Sequence, residues 1–274
     1  MTNKKTNPNV LQGFTGRRRL YLLRHGHVDY FAPGLTDPRG VPLTEQGQEQ
    51  AKAVRDALSK VNFDFACCSG LPRTVQTAQI VLSGPEHQDH QDHQDHQDHQ
   101  DHQGNKLDLV ENLEFEELKS GWIQADNREE LAARLAFCFD DADIPGARFL
   151  PDGEKFEDAR KRIVAGLNHI LTSTPWKTGL LVAHEGVNRI ILSWIMSQSL
   201  ACVNAIEQDL CAVNVIDFDM VPTPKGDGVE IERAVLKLMN VTPYDIVKIG
   251  LPYTSLEHLF DVDFGASRPA KSTS

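Results

Sequence analysis

Apolar positions along this chain fall into two alternating rhythms. Leu20 to Leu23 is a short apolar run ending on Arg24, and it predicts a first strand. From Thr44 to Leu58 the spacing turns helical. Ala51, Val54 and Leu58 share one face there, and Thr44 can cap the start. Phe63 to Cys68 predicts a second strand, and Pro72 to Leu82 a helix whose proline suits the first turn. Amphipathic helices are predicted over Arg128 to Phe139 and Phe156 to Leu171. The second carries a stripe of Phe156, Ile163, Leu167, Ile170 and Leu171. Leu180 to Ala183 reads as a buried strand ending at His184, and Val187 to Met196 as the helix behind it. Ala212 to Phe218 and Val235 to Leu238 read as late strands. Strand and helix alternating in this way predict an α/β layered domain.

Three segments break the rhythm. Met1 to Arg19 is a polar, basic lead-in, expected to be mobile, and Ala266 to Ser274 is a short polar tail. Glu86 to Gly104 holds five His-Gln-Asp triplets followed by His-Gln. What is left, 20–265, reads as a single domain with the tract inserted between the Pro72 helix and Leu107 to Leu118. An exposed loop accepts such an insertion cheaply, because closure entropy grows slowly with length. The tract's histidines, His87, His90, His93, His96, His99 and His102, alternate with carboxylates that can bind Zn²⁺, Cu²⁺ or Ni²⁺ weakly. A uniform polar triplet supplies neither fixed geometry nor supporting groups, so disorder is the expectation.

Composition narrows the class. Apolar content of 40% and charged content of 24% suit a soluble globular chain. The longest apolar stretch, Val187 to Met196, is broken by Asn188, Arg189 and Ser193, and is shorter than the roughly 20 residues a membrane helix needs. The N-terminus lacks the apolar stretch of a secretory signal. It has no acidic residue before Asp29, as in a transit peptide, but also no amphipathic pattern. The cysteines Cys67, Cys68, Cys138, Cys202 and Cys211 are odd in number and show no CxxC spacing. Buried free thiols in a reducing, cytoplasmic setting follow. A net charge of −11, five units of it from the tract's aspartates, argues against nucleic acid or an anionic membrane as partner.

The chemistry concentrates at Leu22-Leu23-Arg24-His25-Gly26-His27. Successive strand side chains point to opposite faces, so Arg24 and His25 can share a ligand only if the chain leaves the pleat there. Gly26 is expected to supply the needed freedom. The carboxyl end of such a strand is where ligands usually bind in an open α/β sheet. A neutral imidazole can attack phosphorus, and a neighbouring guanidinium can grip phosphate oxygens.

Five segments in order extend this. They are Leu23-Arg24-His25-Gly26; Pro42-Leu43-Thr44-Glu45-Gln46-Gly47 with Gln50-Ala51; Ser69-Gly70-Leu71-Pro72-Arg73 with Thr77-Ala78; Gly153-Glu154; and Val182-Ala183-His184-Glu185-Gly186-Val187. Together they resemble the histidine phosphatase superfamily, also called the phosphoglycerate mutase-like family, from about Leu20 to at least Leu192. The resemblance implies a three-layer α/β/α sandwich with a mostly parallel central sheet. It implies that His25 becomes phosphorylated, that Arg24 and Arg73 hold the phosphoryl oxygens, and that His184 donates to the same oxygens. Positioning and charge stabilisation by these groups suffice without a metal or cofactor. Asn188, after the His184 turn, is expected near the substrate. The partner implied is a small phosphorylated metabolite.

A leaving alkoxide also needs a proton. In Phe115-Glu116-Glu117-Leu118-Lys119-Ser120-Gly121-Trp122, alignment on Gly121 selects Glu117 and alignment on Trp122 selects Glu116; Leu118 favours Glu117. His27 and Phe31 stand where the family commonly has other polar residues. Phe31, with Tyr30, either makes the pocket more apolar or packs against the loop.

A phosphatase is the leading reading, and a phosphoglycerate-type mutase the alternative. A non-catalytic relative would be marked by loss of His25, Arg73 or His184, and all three are present. A metal-handling protein built on the tract would fail once the tract is removed. Deleting His87 to Gln103 is instead expected to leave phosphatase activity near that of the intact chain. A loss beyond about tenfold would give the tract a role.

Overall fold

The computed structural model describes residues 14–84, 107–121, 128–135 and 137–260. The histidine tract at 86–104, the tail at 266–274, Trp122 and the first part of the lead-in lie outside them. In chain order the elements are β1 (Gly16–Arg24), α1 (Glu45–Ala57), β2 (Phe65–Cys68), α2 (Pro72–Leu82), β3 (Leu109–Glu111), α3 (Arg128–Leu135), α4 (Phe156–Ser173), β4 (Thr178–Ala183), α5 (Glu185–Ser197), β5 (Val213–Pro222), β6 (Val229–Val241) and α6 (Ser255–Phe260). The strands form one sheet in the order β3-β2-β4-β1-β5-β6. The first four strands in this order pair in parallel, and β5 and β6 are antiparallel additions at the far edge.

The parallel strands are apolar on both faces because both faces are covered. Leu20, Leu22, Phe65, Cys67, Leu181, Ala183, Ile216 and Phe218 turn to one side and pack with Ile163 and Leu167 of α4 and Val187, Ile190 and Ile191 of α5. The alternate residues Leu23, Ala66, Cys68, Leu180, Val182, Val213 and Val215 meet Ala51 and Val54 of α1 and Ala78 and Val81 of α2. This is the expected α/β/α sandwich. Each fully buried Leu, Ile or Val contributes about 1.5–3 kcal/mol relative to exposure. All five cysteines are free, and only Cys202 is not fully buried. Among the described residues, no helix is long and apolar enough to cross a membrane.

Several boundaries differ from the pattern. β1 starts at Gly16, inside the polar lead-in, because its arginines find partners. Arg17 and Arg19 pair with Asp219 and Asp217 of β5. Arg18 is 1% exposed, donates to Thr174 O and Phe14 O, and lies over the Trp176 ring. α3 ends at Leu135 rather than Phe139. The chain then makes successive tight turns that tuck Phe139 against Phe149 and Phe156. β3 and α6 carry no readable period, having three and six residues respectively.

Candidate active site

Helix α1 follows β1 on one face of the sheet, whereas α5 follows β4 on the other. β1 and β4 are neighbours, so a crevice opens between their carboxyl ends, the switch point of an open α/β sheet. Register does the rest. Arg24 pairs with Ala183, so the next residues, His25 and His184, emerge side by side. Their rings lie 5.2 Å apart in an edge-on arrangement. Cys68 pairs with Val182, so Ser69 leaves β2 on the same edge one position short of His184, and its Oγ reaches the His184 ring.

His25 stands just past β1, where the chain has left the pleat. Its N–H donates to Ala183 O (3.1 Å) and its carbonyl accepts from Cys211 N–H (3.2 Å). Gly26 N–H donates to Thr77 Oγ1 of α2 at 3.1 Å. Gly26 is required for closeness rather than for a left-handed backbone. It is not among the positive-φ glycines, and an added Cβ would sit 2.5 Å from Gly47 O. His25 Nδ1 lies 2.8 Å from Gly26 O. A carbonyl only accepts, so the proton is on Nδ1 and Nε2 keeps its lone pair. Burial, then the charges of Arg73 and Arg24, hold this imidazole well below its usual pKa, so it is neutral.

His184 caps α5. Its Nε2 lies 2.8 Å from Ser69 Oγ, which lies 2.9 Å from Thr74 Oγ1. Thr74 gives its own proton to Leu71 O, so the chain of donors runs from His184 through Ser69 to Thr74. Burial and the cations Arg73 and Arg24 also press the His184 pKa well down. Arg73 of α2 donates to Pro38 O and Arg39 O and stands 5.8 Å from the Tyr30 ring centre. Arg24 donates to Gln208 O and pairs with Glu185 at 3.1 Å. Among the described residues, the buried side-chain nitrogens without a hydrogen-bond partner are Arg24 Nε, Arg73 Nε and His184 Nδ1. Buried polar atoms left without a partner are rare, and these three, two guanidinium N–H donors and one imidazole nitrogen, belong to the residues around one imidazole.

The two candidate acids part company. Glu116 Oε1 pairs with Arg39 at 2.7 Å. Glu117 accepts Leu118 N–H on Oε1 (3.0 Å) and Gly186 N–H on Oε2 (3.4 Å). Burial first, aided by the charge of Glu185, pushes the Glu117 carboxyl upward. Gly186 makes room for it, since an added Cβ would meet Glu117 Oε1 at 2.8 Å.

Asn188 is fully buried and braces backbone. With its carboxamide turned so that nitrogen faces His184 O (3.3 Å), its oxygen accepts from Arg24 N–H (3.2 Å). Both polar ends are thus engaged by the two strand ends. His27 ties the loop to α1 through Thr44 Oγ1 and Gln50 Oε1. Phe31 packs edge-on against Phe260 of α6 at 5.9 Å. Ser69, Gln208 and Glu185 were not anticipated. Ser69 and Glu185 lie inside the quoted segments, beside the residues given roles there, which was the available signal.

Residues 20–221 match the model of the histidine phosphatase superfamily (branch 1). The chain belongs to this superfamily. It is an enzyme of the histidine phosphatase type. It is 25% identical over 188 residues to the adenosylcobalamin/alpha-ribazole phosphatase of Salmonella typhimurium, covering 67% of this chain and 82% of the relative. Its fold is similar to that of the alpha-ribazole phosphatase from Shigella flexneri, with a TM-score of 0.57 at 23% identity over 82% of this chain and 96% of the other. It is also similar to a phosphoglycerate mutase from Bacillus anthracis, with a TM-score of 0.59 at 18% identity over 85% and 97%.

Proposed function

We propose that this chain is a phosphatase that hydrolyses a small phosphomonoester through a phosphohistidine on His25. The observation that carries the reading is the set of three unpartnered buried nitrogens, on Arg24, Arg73 and His184, around a neutral imidazole. Two guanidiniums pair with non-bridging phosphoryl oxygens. His25 Nε2 attacks phosphorus as the bond to the ester oxygen breaks, and Glu117 gives its proton to that oxygen. Water then attacks the phosphohistidine, the Glu117 carboxylate takes the water's proton, and inorganic phosphate leaves. His184, whose Nε2–H is committed to Ser69, takes a proton from solvent on Nδ1 as the phosphoryl dianion binds, donates it as a hydrogen bond to the phosphoryl oxygens, and returns it to solvent when inorganic phosphate leaves. No step calls on a metal or cofactor. The five free thiols fit a reducing, cytoplasmic setting.

Similarity to named phosphatases favours water as the final acceptor. A mutase would instead return the phosphoryl group to a bound intermediate. Incubation with a phosphomonoester is expected to release inorganic phosphate steadily, at a rate unchanged by a chelator. A stably phosphorylated protein that releases phosphate only when a second phosphorylated compound is supplied would overturn hydrolysis in favour of the mutase.

A further inference from the structure

Arg24 is expected to meet a phosphate dianion, yet a buried carboxylate already faces it. Glu185 is 4% exposed and stands directly after His184. Its Oε2 lies 3.1 Å from Arg24 Nη2 and accepts from Ser255 Oγ at 2.7 Å. Its Oε1 accepts from Arg189 Nη2 (2.7 Å) and Nε (3.1 Å). Arg189 also pairs with Glu207 at 2.8 Å, and Glu207 Oε1 accepts from Ser255 N–H at 3.0 Å. A buried carboxylate with fewer partners would carry a large desolvation cost. With this set, Glu185 remains charged, because Arg24 and Arg189 outweigh its burial.

We propose that Glu185 is a positioning residue: it fixes the guanidinium of Arg24 and sets the charge that Glu117 faces. The proposal rests on the roles given above to His25, Arg24 and Glu117. Arg24 is held at both amino ends, Nη1 by Gln208 O and Nη2 by Glu185, which fixes the guanidinium plane and leaves Nε–H unpartnered. A rotating guanidinium would have to be ordered anew in each turnover. Arg189 shares the Glu185 charge, so the carboxylate aims Arg24 without being bound by it alone.

Glu185 also precedes Gly186, whose N–H meets Glu117 Oε2. The groups facing Glu117 are Glu185 from α5, Arg24 from β1, Tyr30 from the loop after β1, and the Cys138 thiol from the segment after α3. Arg162 of α4 binds the Glu117 carbonyl. Arg24 and the N–H groups of Leu118 and Gly186 favour the carboxylate, whereas burial and Glu185 favour the acid. Removing the Glu185 charge therefore lets Glu117 lose its proton at lower pH.

The test is Glu185→Gln. For an alkyl phosphate, whose leaving group needs a proton, the alkaline limb of kcat/KM is expected to fall by about one pH unit. For p-nitrophenyl phosphate, whose leaving group needs none, kcat is expected to drop about tenfold from the loosened Arg24. An unmoved limb or an unchanged kcat overturns the proposal. A profile with no alkaline limb also overturns it, because Glu185 would then be the proton donor itself. Glu185→Asp keeps the charge but withdraws the reach to Arg24. It should retain the limb and lose kcat for both esters, and wild-type kcat in this variant overturns the proposal even if the glutamine variant does not fold. If the unaltered chain releases phosphate from neither ester, the phosphatase reading fails instead.

Discussion

Replacing His25 by alanine is expected to abolish turnover, with a loss of about four orders of magnitude or more. The ring cannot be substituted from nearby. Among the described residues His184 is the only other imidazole within ring contact, and its Nε2 is committed to Ser69. The loop backbone should survive the change. It is held by the His25 N–H on Ala183 O, the Gly26 N–H on Thr77 and the Cys211 N–H on His25 O, and none of these uses the imidazole. The measurement is phosphate release together with acid-labile labelling of the protein by a ³²P ester. The unaltered chain should label and His25→Ala should not. A variant that still labels and keeps more than about one hundredth of the rate would place the nucleophile elsewhere. The pH profile adds a check. Burial and two guanidiniums hold the His25 pKa well down, so its lone pair stays available as pH falls through the range where an ordinary histidine protonates. The acid side of the profile should therefore follow the substrate's own phosphate ionisation, near pH 6 for a typical monoester, and shift when the ester is changed.

What was legible in the sequence was whatever repeats along one element. The parallel strands announced themselves because both faces are covered, and the helices because one face is. That His25 and His184 act together was implied by the resemblance to the family, not by periodicity; the parallel pairing of β1 and β4 supplies the physical reason, since both strands finish on the same edge. Arg18 was not legible. A buried guanidinium amid Arg17 and Arg19 looks like a solvated run until Thr174, Phe14 and Trp176 are folded around it. The α6 helix left a trace that periodicity does not use. Thr254 and Glu257 form a reciprocal cap, the Thr254 N–H on Glu257 Oε2 and the Glu257 N–H on Thr254 Oγ1. The backbone bonds of Asn188 were not legible either, because position after a motif does not reveal which way an amide faces. The acid was ambiguous for a stronger reason. Glu116 and Glu117 are adjacent in irregular backbone, and only partners remote in sequence, Arg39 for one and Gly186 for the other, tell them apart.

That distinction yields the second large effect. Glu117→Gln is expected to slow phosphoryl transfer from an alkyl phosphate by about 10²–10³-fold, within the usual range for a lost general acid. The same substitution should cost far less in the first step with p-nitrophenyl phosphate, whose leaving oxygen departs without a proton. The phosphohistidine should then accumulate, because the carboxylate that would deprotonate water is missing. A stopped-flow burst of nitrophenol followed by slow turnover is the signature. The sign with pH follows from the raised carboxyl. Glu117 works as an acid while protonated, so kcat/KM for the alkyl ester falls as pH rises through its pKa, and the glutamine variant should lack that limb. The carboxamide is close in size, and its oxygen can keep the shorter bond from Leu118 N–H while its NH2 takes the place of the oxygen at the longer Gly186 contact, so the shape is kept while the proton is lost. Glu116→Gln breaks a surface pair with Arg39, whose side chain is largely exposed, and should cost less than about threefold. An equal loss with both esters in Glu117→Gln would reduce Glu117 to a packing role. A leaving-group-dependent loss in Glu116→Gln would move the proton to the neighbouring side chain.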